Sequence, residues 1–360
     1  LPSAKVDLLE TIDWVFPRGL DHHEMFAGVP VVEDVMAKVA RKLAGLGELP
    51  DRVAPAGPPA EVRSVDVAIV GGGAAGLACA EALAGSGLTV EVVEEQPKVG
   101  GRALLGLESA RDPDWARAAA ERCLSAGIRV TTGATVLGVY RDEGVRVLPL
   151  LRRGDDRLQK LVCRSLVLAN GSSEPMTPFT GNDLPGVYAG RGLARMLLQQ
   201  RVTPGGQAVV VGSTDETLGL AHLLRASGVE VEALVDPAAR LSSGDFRVLS
   251  GHSPSRCRGI SAVRGLVVTD GAGRRERLKC DVVALCDLPA PAFELGRQAG
   301  AHVAFDAAKG GFALQAEDGR TAAPGVFAAG DVTGVGSVAR AREQGAAVGR
   351  LLARTAGASA

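Results

Sequence analysis

The sequence predicts an α/β fold in which parallel strands alternate with helices, and three observations carry that expectation. A short apolar run from Val65 to Val70 leads through a glycine-rich turn into a helical segment, Gly73 to Ser86, and a second apolar run, Leu88 to Val93. The same order returns at Gln207 to Val211, Glu216 to Ser227 and Val229 to Val235. A chain of 360 residues also exceeds one simple core and suits two domains.

The elements follow in order. Residues 1–60 stand apart: they hold Trp14, Phe16, Met25 and Phe26, and end in a Pro- and Ala-rich stretch from Pro50 to Pro59. Val32, Val35, Met36, Val39, Ala40 and Leu43 recur at helical spacing, and Gly45 supplies a left-handed stop. This predicts an N-terminal arm, one helix and a linker, with the arm an interface candidate. After the first strand–helix–strand unit, Trp115 to Ala126 reads as a helix. Ile128 to Leu151 and Lys160 to Ala169 read as a β-meander leading into another strand. Beyond the second unit, short strands run from Cys257 to Leu285, and a strand at Gly325 to Ala329 precedes a helix from Val338 to Thr355. The expected domains are therefore 1–60 (arm), 61–176 plus 283–360 (a discontinuous first unit) and 177–282 (an inserted second unit).

The strongest motif is Gly71-x-Gly73-x-x-Gly76 between the first strand and its helix. Gly71 permits the tight turn, Gly73 lets a pyrophosphate approach the backbone, and Gly76 lets helix and strand pack closely. The helix N-terminus then offers free N–H groups to the phosphates. Glu94 closes the second strand at the spacing where an acid accepts ribose hydroxyls, and an acid there disfavours the 2′-phosphate of NADP. These features define a Rossmann-type unit for an adenine dinucleotide. Gly100-Gly101-Arg102 and Ala169-Asn170-Gly171 mark two further tight passages of the chain. The candidate cofactor-binding set is thus Gly71, Gly72, Gly73, Ala74, Ala75 and Gly76 of the loop, with Glu94, Glu95 and Gln96 after the second strand. Ala169, Asn170 and Gly171, in a tight loop that can abut the dinucleotide, join it.

The second unit carries Gly212-Ser213-Thr214-Asp215-Glu216-Thr217 where a second dinucleotide loop belongs. Its second glycine is Thr214, whose Cβ obstructs a pyrophosphate. Asp215 and Glu216 add negative charge at the same place, although Asp236 still closes the next strand. The unit reads as a degenerate NAD(P)-type domain, retained for packing or docking.

Other chemistries find little support. A net charge of -1 and no basic cluster with interleaved aromatics argue against nucleic acid. No apolar run reaches membrane-spanning length, and Leu1 to Gly28 carries too many charges for a signal peptide. The first residue, Leu1 rather than Met, points to a native start upstream. The six cysteines include no Cys-x-x-Cys pair, so a redox-active pair is not expected. They read as buried reduced thiols of a cytoplasmic protein. Cys280 and Cys286 flank one strand, roughly 20 Å apart at about 3.3 Å per residue, too far to bridge. No metal-spaced Cys/His cluster is present. His22, His23 and Glu24 read as a solvated or interface patch, because adjacent histidines point apart. No residue stands out as a general base, and none need do so if a flavin supplies the hydride chemistry.

Pro324-Gly325-Val326-Phe327-Ala328-Ala329-Gly330-Asp331 resembles the C-terminal Gly-Asp motif of FAD-dependent pyridine-nucleotide oxidoreductases. That resemblance implies FAD, with Asp331 on a ribityl hydroxyl and the following helix aimed at the flavin, and it adds Gly101, Arg102, Val136, Gly330, Asp331 and Val338 to the candidate cofactor-binding set. More narrowly, the chain resembles the α-type subunits of multimeric amine and amino-acid oxidising flavoenzymes: sarcosine oxidase, opine oxidase, hydrogen cyanide synthase and dye-linked proline dehydrogenase. The stretches that carry this are Asp66 to Gln96, Asn182 to Val187, the second unit from Asp215 to Asp236, Cys280 to Asp287 and Pro291 to Gln298. The resemblance implies a hetero-oligomer in which a second, β-type flavoprotein subunit oxidises the substrate and an iron–sulfur subunit can take part. The iron–sulfur segment and cysteine cluster of many relatives are absent from these 360 residues. That implies a short variant, or that those parts sit on other chains. Three readings stay open: an FAD-binding electron-transfer subunit of an amine or amino-acid dehydrogenase or oxidase; a self-sufficient NAD(P)H-dependent flavin oxidoreductase; and a non-catalytic subunit with a structural dinucleotide. A second nucleotide, NAD or ATP, is weighed for the degenerate unit, and Thr214 argues against it.

Overall fold

The computed structural model describes residues 59–107, 113–155 and 157–357, all within one compact unit, Pro59–Ala360. The expected arm, its helix over 32–44 and the His22–His23 pair lie outside the described residues. The first sheet begins with β1 (Glu61–Val70), α1 (Ala74–Leu83) and β2 (Val90–Glu94). Next come α2 (Pro113–Ser125), β3 (Arg129–Thr132), β4 (Ala134–Val136), β5 (Tyr140–Asp142), β6 (Val145–Arg152) and β7 (Gln159–Leu168). β1 is apolar on both sides because both are covered. Val67 and Ile69 enter the core beneath α1, and Ala68 and Val70 enter the core on the other face. α1 ends at Leu83, short of the expected Ser86, because left-handed Gly85 and Gly87 break it.

The chain then crosses through β8 (Ser172–Ser173) to the second sheet. That sheet holds β9 (Val187–Ala189), β10 (Gln207–Gly212), β11 (Glu230–Asp236), β12 (Val248–Ser250) and β16 (Val282–Cys286). α3 (Gly190–Arg195) follows β9 and α4 (Asp215–Ala226) joins β10 to β11, while β13 (His252–Gly259), β14 (Val263–Asp270) and β15 (Arg275–Leu278) form an antiparallel flap. The return runs through β17 (Ala290–Pro291), α5 (Glu294–Gln298), β18 (Val303–Asp306) and β19 (Gly311–Leu314) to β20 (Val326–Ala328) and α6 (Val338–Gly357).

The parallel core of the first sheet is ordered β3-β2-β1-β7, with β20 beside the end of β7 and β6 beside its start. The second sheet is ordered β12-β11-β10-β16-β9, and all its pairings are parallel. Both orders reverse direction beside the first strand, which opens a crevice at the carboxyl ends of the strands. The expected division at 282/283 needs correction. Val282 to Cys286 pairs with β10, so the chain leaves the second sheet only after Cys286. It re-enters where Ala290 and Pro291 pair with Ser173 and Ser172. A fully buried parallel strand carries no mark of which sheet it joins.

Candidate dinucleotide site

The loop from β1 to α1 places its three glycines in three different situations. Gly71 turns with φ +101°, its N–H donating to the Val93 carbonyl at 2.8 Å. A Cβ at Gly76 would lie 1.9 Å from the Gly71 carbonyl oxygen, so only glycine lets α1 sit this close to its strand. A Cβ at Gly73 would meet nothing within 4 Å, because that position faces the open cleft. Gly73 is the N-cap of α1 and makes no side-chain cap, so the free N–H groups of the first turn face the same opening. Glu94 is held rigidly beneath: one carboxylate oxygen accepts the Gly72 N–H and the other the Gln96 N–H, each at 2.7 Å. Burial raises the Glu94 carboxyl above its usual range, against the pull of those N–H groups.

Gly71 and Gly73 line one cleft of about 590 Å³, which runs between Glu94, Glu95 and Gln96 on one flank and Gly330 and Asp331 on the other. Glu94 ends β2 and Asp331 follows β20, with β1 and β7 between them. At about 4.8 Å per strand their separation across the sheet is roughly 14 Å, the span of a dinucleotide rather than of a mononucleotide base and sugar. Fifteen of the eighteen residues expected from the sequence line this cleft. Three do not. Gly72 is turned inward, its N–H spent on Glu94. Gly76 is a packing residue. Val338 begins α6 beside a gap of about 10 Å³ that it shares with Leu105, Leu107 and Glu216.

The cleft fits a dinucleotide by its own chemistry. Asn170 donates from Nδ2 to the Ala292 carbonyl at 2.7 Å, which fixes the amide and leaves Oδ1 buried with no partner among the described residues. A buried acceptor of this kind costs about 1–3 kcal/mol until a donor reaches it, and the cleft is where a donor would enter. Asp331 accepts the Ser172 hydroxyl at 3.0 Å and an Arg102 N–H at 3.1 Å.

Sequence reasoning missed the set that holds this end of the cleft: Ser172, Glu174, Arg191 and Arg195 were not anticipated, and Glu216 was read only as repulsive. Arg191 donates to both oxygens of Glu216 at 2.7 and 2.8 Å, and to the Ser172 hydroxyl at 3.0 Å. Arg102 reaches Glu216 at 3.4 Å. Burial pushes the Glu216 carboxyl up, but the Arg191 hydrogen bonds and the charges of Arg191 and Arg102 outweigh it and hold it below its usual range. Glu174 accepts the N–H groups of Arg191 and Gly192 at 2.8 and 3.2 Å, which ties down the start of α3.

The second unit uses the same positions differently. The Thr214 N–H donates to the Thr217 hydroxyl at 3.3 Å, so the helix start satisfies itself. Asp236 is fully buried, accepting the Ser213 hydroxyl and, at 2.7 Å, the Leu241 N–H. Leu105 and Leu107, from the segment after Arg102, sit in the core around α4. A Cβ at Gly219 of α4 would lie 1.9 Å from the Leu107 carbonyl oxygen, so that segment lies directly on the helix.

All six cysteines are free and buried. Burial pushes the thiols of Cys79 and Cys280 up to about 12, those of Cys123, Cys163 and Cys257 up to about 11, and that of Cys286 well above its ordinary value. They have the environment of inert core thiols rather than of redox nucleophiles. Among the described residues no helix is long and apolar enough to cross a membrane.

Comparison with known proteins agrees with the two-unit architecture. The chain is 28% identical over 300 residues to sarcosine oxidase subunit alpha of Rhizobium meliloti (strain 1021), covering 79% of this chain and 30% of that protein. It is 31% identical to hydrogen cyanide synthase subunit HcnB of Pseudomonas protegens, over 49% of this chain and 39% of that protein. The chain thus spans about a third of the length of these curated relatives. Among solved structures, L-proline dehydrogenase from P. horikoshii superposes with a TM-score of 0.70 at 22% identity, over 84% of this chain and 57% of that one. The pyridine nucleotide-disulphide oxidoreductase family matches residues 65–345, which take in both units and the return strand. With that match and this geometry, the chain belongs to the pyridine nucleotide-disulphide oxidoreductase family.

Proposed function

We propose that this chain is the FAD-binding, electron-transfer subunit of a multimeric amine or amino-acid dehydrogenase or oxidase. The observation that carries the reading is the position of Asp331. It lies on the cleft flank opposite Glu94, where a bound dinucleotide would reach it, and a ribityl hydroxyl is a partner that FAD has and NAD lacks. Arg102 and Ser172 orient its carboxylate, Asn170 offers a free acceptor, and the first turn of α1 offers N–H groups to the diphosphate. Bound flavin would supply the hydride and electron chemistry, and the chain's residues would position it. The subunit role is supported by the relatives, which are named as subunits of sarcosine oxidase and hydrogen cyanide synthase. The β-type flavoprotein and iron–sulfur partners belong to the same proposal. Absorbance and chromatography of the ligand released from the isolated chain, beside co-purification with its native partners, test the reading. FAD together with a second flavoprotein chain is expected; NAD or ATP alone would refute it.

A further inference from the structure

Among the described residues, the cleft has one cation that the network above does not use. α3 is anchored at its start by Glu174, and on its far side Leu193 and Ala194 are fully buried in the core of the second unit. Arg191 and Arg195 are one helical turn apart, so they share a face, and both line the cleft. Arg191 is committed to Glu216 and Ser172. Arg195, half-buried, makes no hydrogen bond or ion pair among the described residues. Its charge is nevertheless felt by Glu94: burial raises that carboxyl, the N–H groups of Gln96 and Gly72 lower it, and Arg195 adds to the lowering. Glu94 accepts the backbone N–H groups of Gly72 and Gln96 and no N–H of Arg195 among the described residues. An uncommitted guanidinium therefore lies in the cleft within electrostatic reach of Glu94.

We infer that Arg195 is a ligand-binding residue contributed by the second unit, and that it holds the adenosine diphosphate half of a dinucleotide seated on the first. A planar fork of N–H donors matches a diphosphate, the only strongly anionic part of such a ligand. The second unit thereby serves the first site directly. The inference rests on the proposed function only in taking an adenine dinucleotide as the ligand; it holds whether the other half is a flavin or a nicotinamide.

ADP is the probe that isolates this half. Its affinity for the full chain, stripped of bound ligand, is measured by calorimetry for wild type, Arg195→Ala and Arg195→Lys at low and high salt. Loss of a charge-assisted contact is expected to weaken ADP about ten- to a hundred-fold in Arg195→Ala. Partial recovery is expected in Arg195→Lys, with a flatter dependence on salt in the alanine variant than in wild type. Unchanged ADP affinity in Arg195→Ala would overturn the inference. So would a loss that is equal at both salt concentrations and not recovered by lysine, since that is the mark of a merely structural side chain. Identification of the released ligand reports on the FAD reading separately.

Discussion

The two βαβ units share a strand order and differ in what fills the crevice. In the first, a side chain at Gly73 would project into open space, and the loop acid Glu94 lines a cleft of about 590 Å³. In the second, Thr214 and Thr217 satisfy one another, Asp236 is buried on its own loop, and Glu216 is clamped by Arg191. On the proposed reading, a dinucleotide-type loop keeps its backbone without a ligand where protein groups satisfy the helix start and the loop acid themselves. Glu216 is the anion of the second unit, built into the chain. It faces arginines from α3 and from the Gly100–Gly101 turn, so it links the second unit to Asp331 of the first.

The sharpest way to break this contrast is to remove that built-in anion. Glu216→Ala takes from the buried Arg191 its hydrogen-bonded carboxylate, leaving it only the charges of Asp331 and Glu174, and should destabilise the chain by about 3–5 kcal/mol in urea unfolding. A loss below 1 kcal/mol would mean the pair is not a strut. In the first unit the corresponding change should act on the ligand. Asp331→Ala is expected to weaken FAD retention by about 1.5–3 kcal/mol, read by fluorescence of released flavin, and to leave NAD affinity alone. Equal effects on both ligands would remove the distinction between a ribityl contact and general electrostatics. Gly76→Ala forces a Cβ to 1.9 Å from the Gly71 carbonyl and should cost about 1–3 kcal/mol of stability together with ligand occupancy.

The smallest expected effect is a pH signature. The folded-state Glu216 carboxyl lies below its ordinary value, so its stabilisation is complete above the unfolded pKa of about 4.3 and is lost as pH falls through the folded value. The stability gap between wild type and Glu216→Gln should therefore shrink on acidification below about pH 4.3. A gap that widens there would reverse the sign of the account.

Much of the first unit was legible because local spacing encodes it. Three glycines, a strand before them and an acid after them are fixed by the turn and the helix start, so Gly73 and Glu94 could be placed without coordinates. Asp331 was legible only through resemblance, since nothing nearby in the sequence brings it to β2. The clamp was not legible at all. Arg102 and Glu216 are 114 residues apart and Ser172 and Asp331 are 159, and ion pairs across such distances leave no period in a sequence. Glu216 accordingly read as repulsive charge when it is a fixed counter-ion. β16 was assigned to the wrong unit for a related reason: Val282 to Cys286 is apolar on both faces, and such a strand fits either sheet.

On the proposed reading, one unit is open to a dinucleotide and the other is closed by its own side chains. An anaerobic titration of the stripped chain tests it most directly, with FAD added to saturation and NADH and then NADPH added in excess, binding being counted and flavin absorbance followed. The account predicts one FAD per chain, no second dinucleotide bound, and no bleaching of the flavin by either nicotinamide. A second dinucleotide bound per chain, or prompt bleaching, would contradict it.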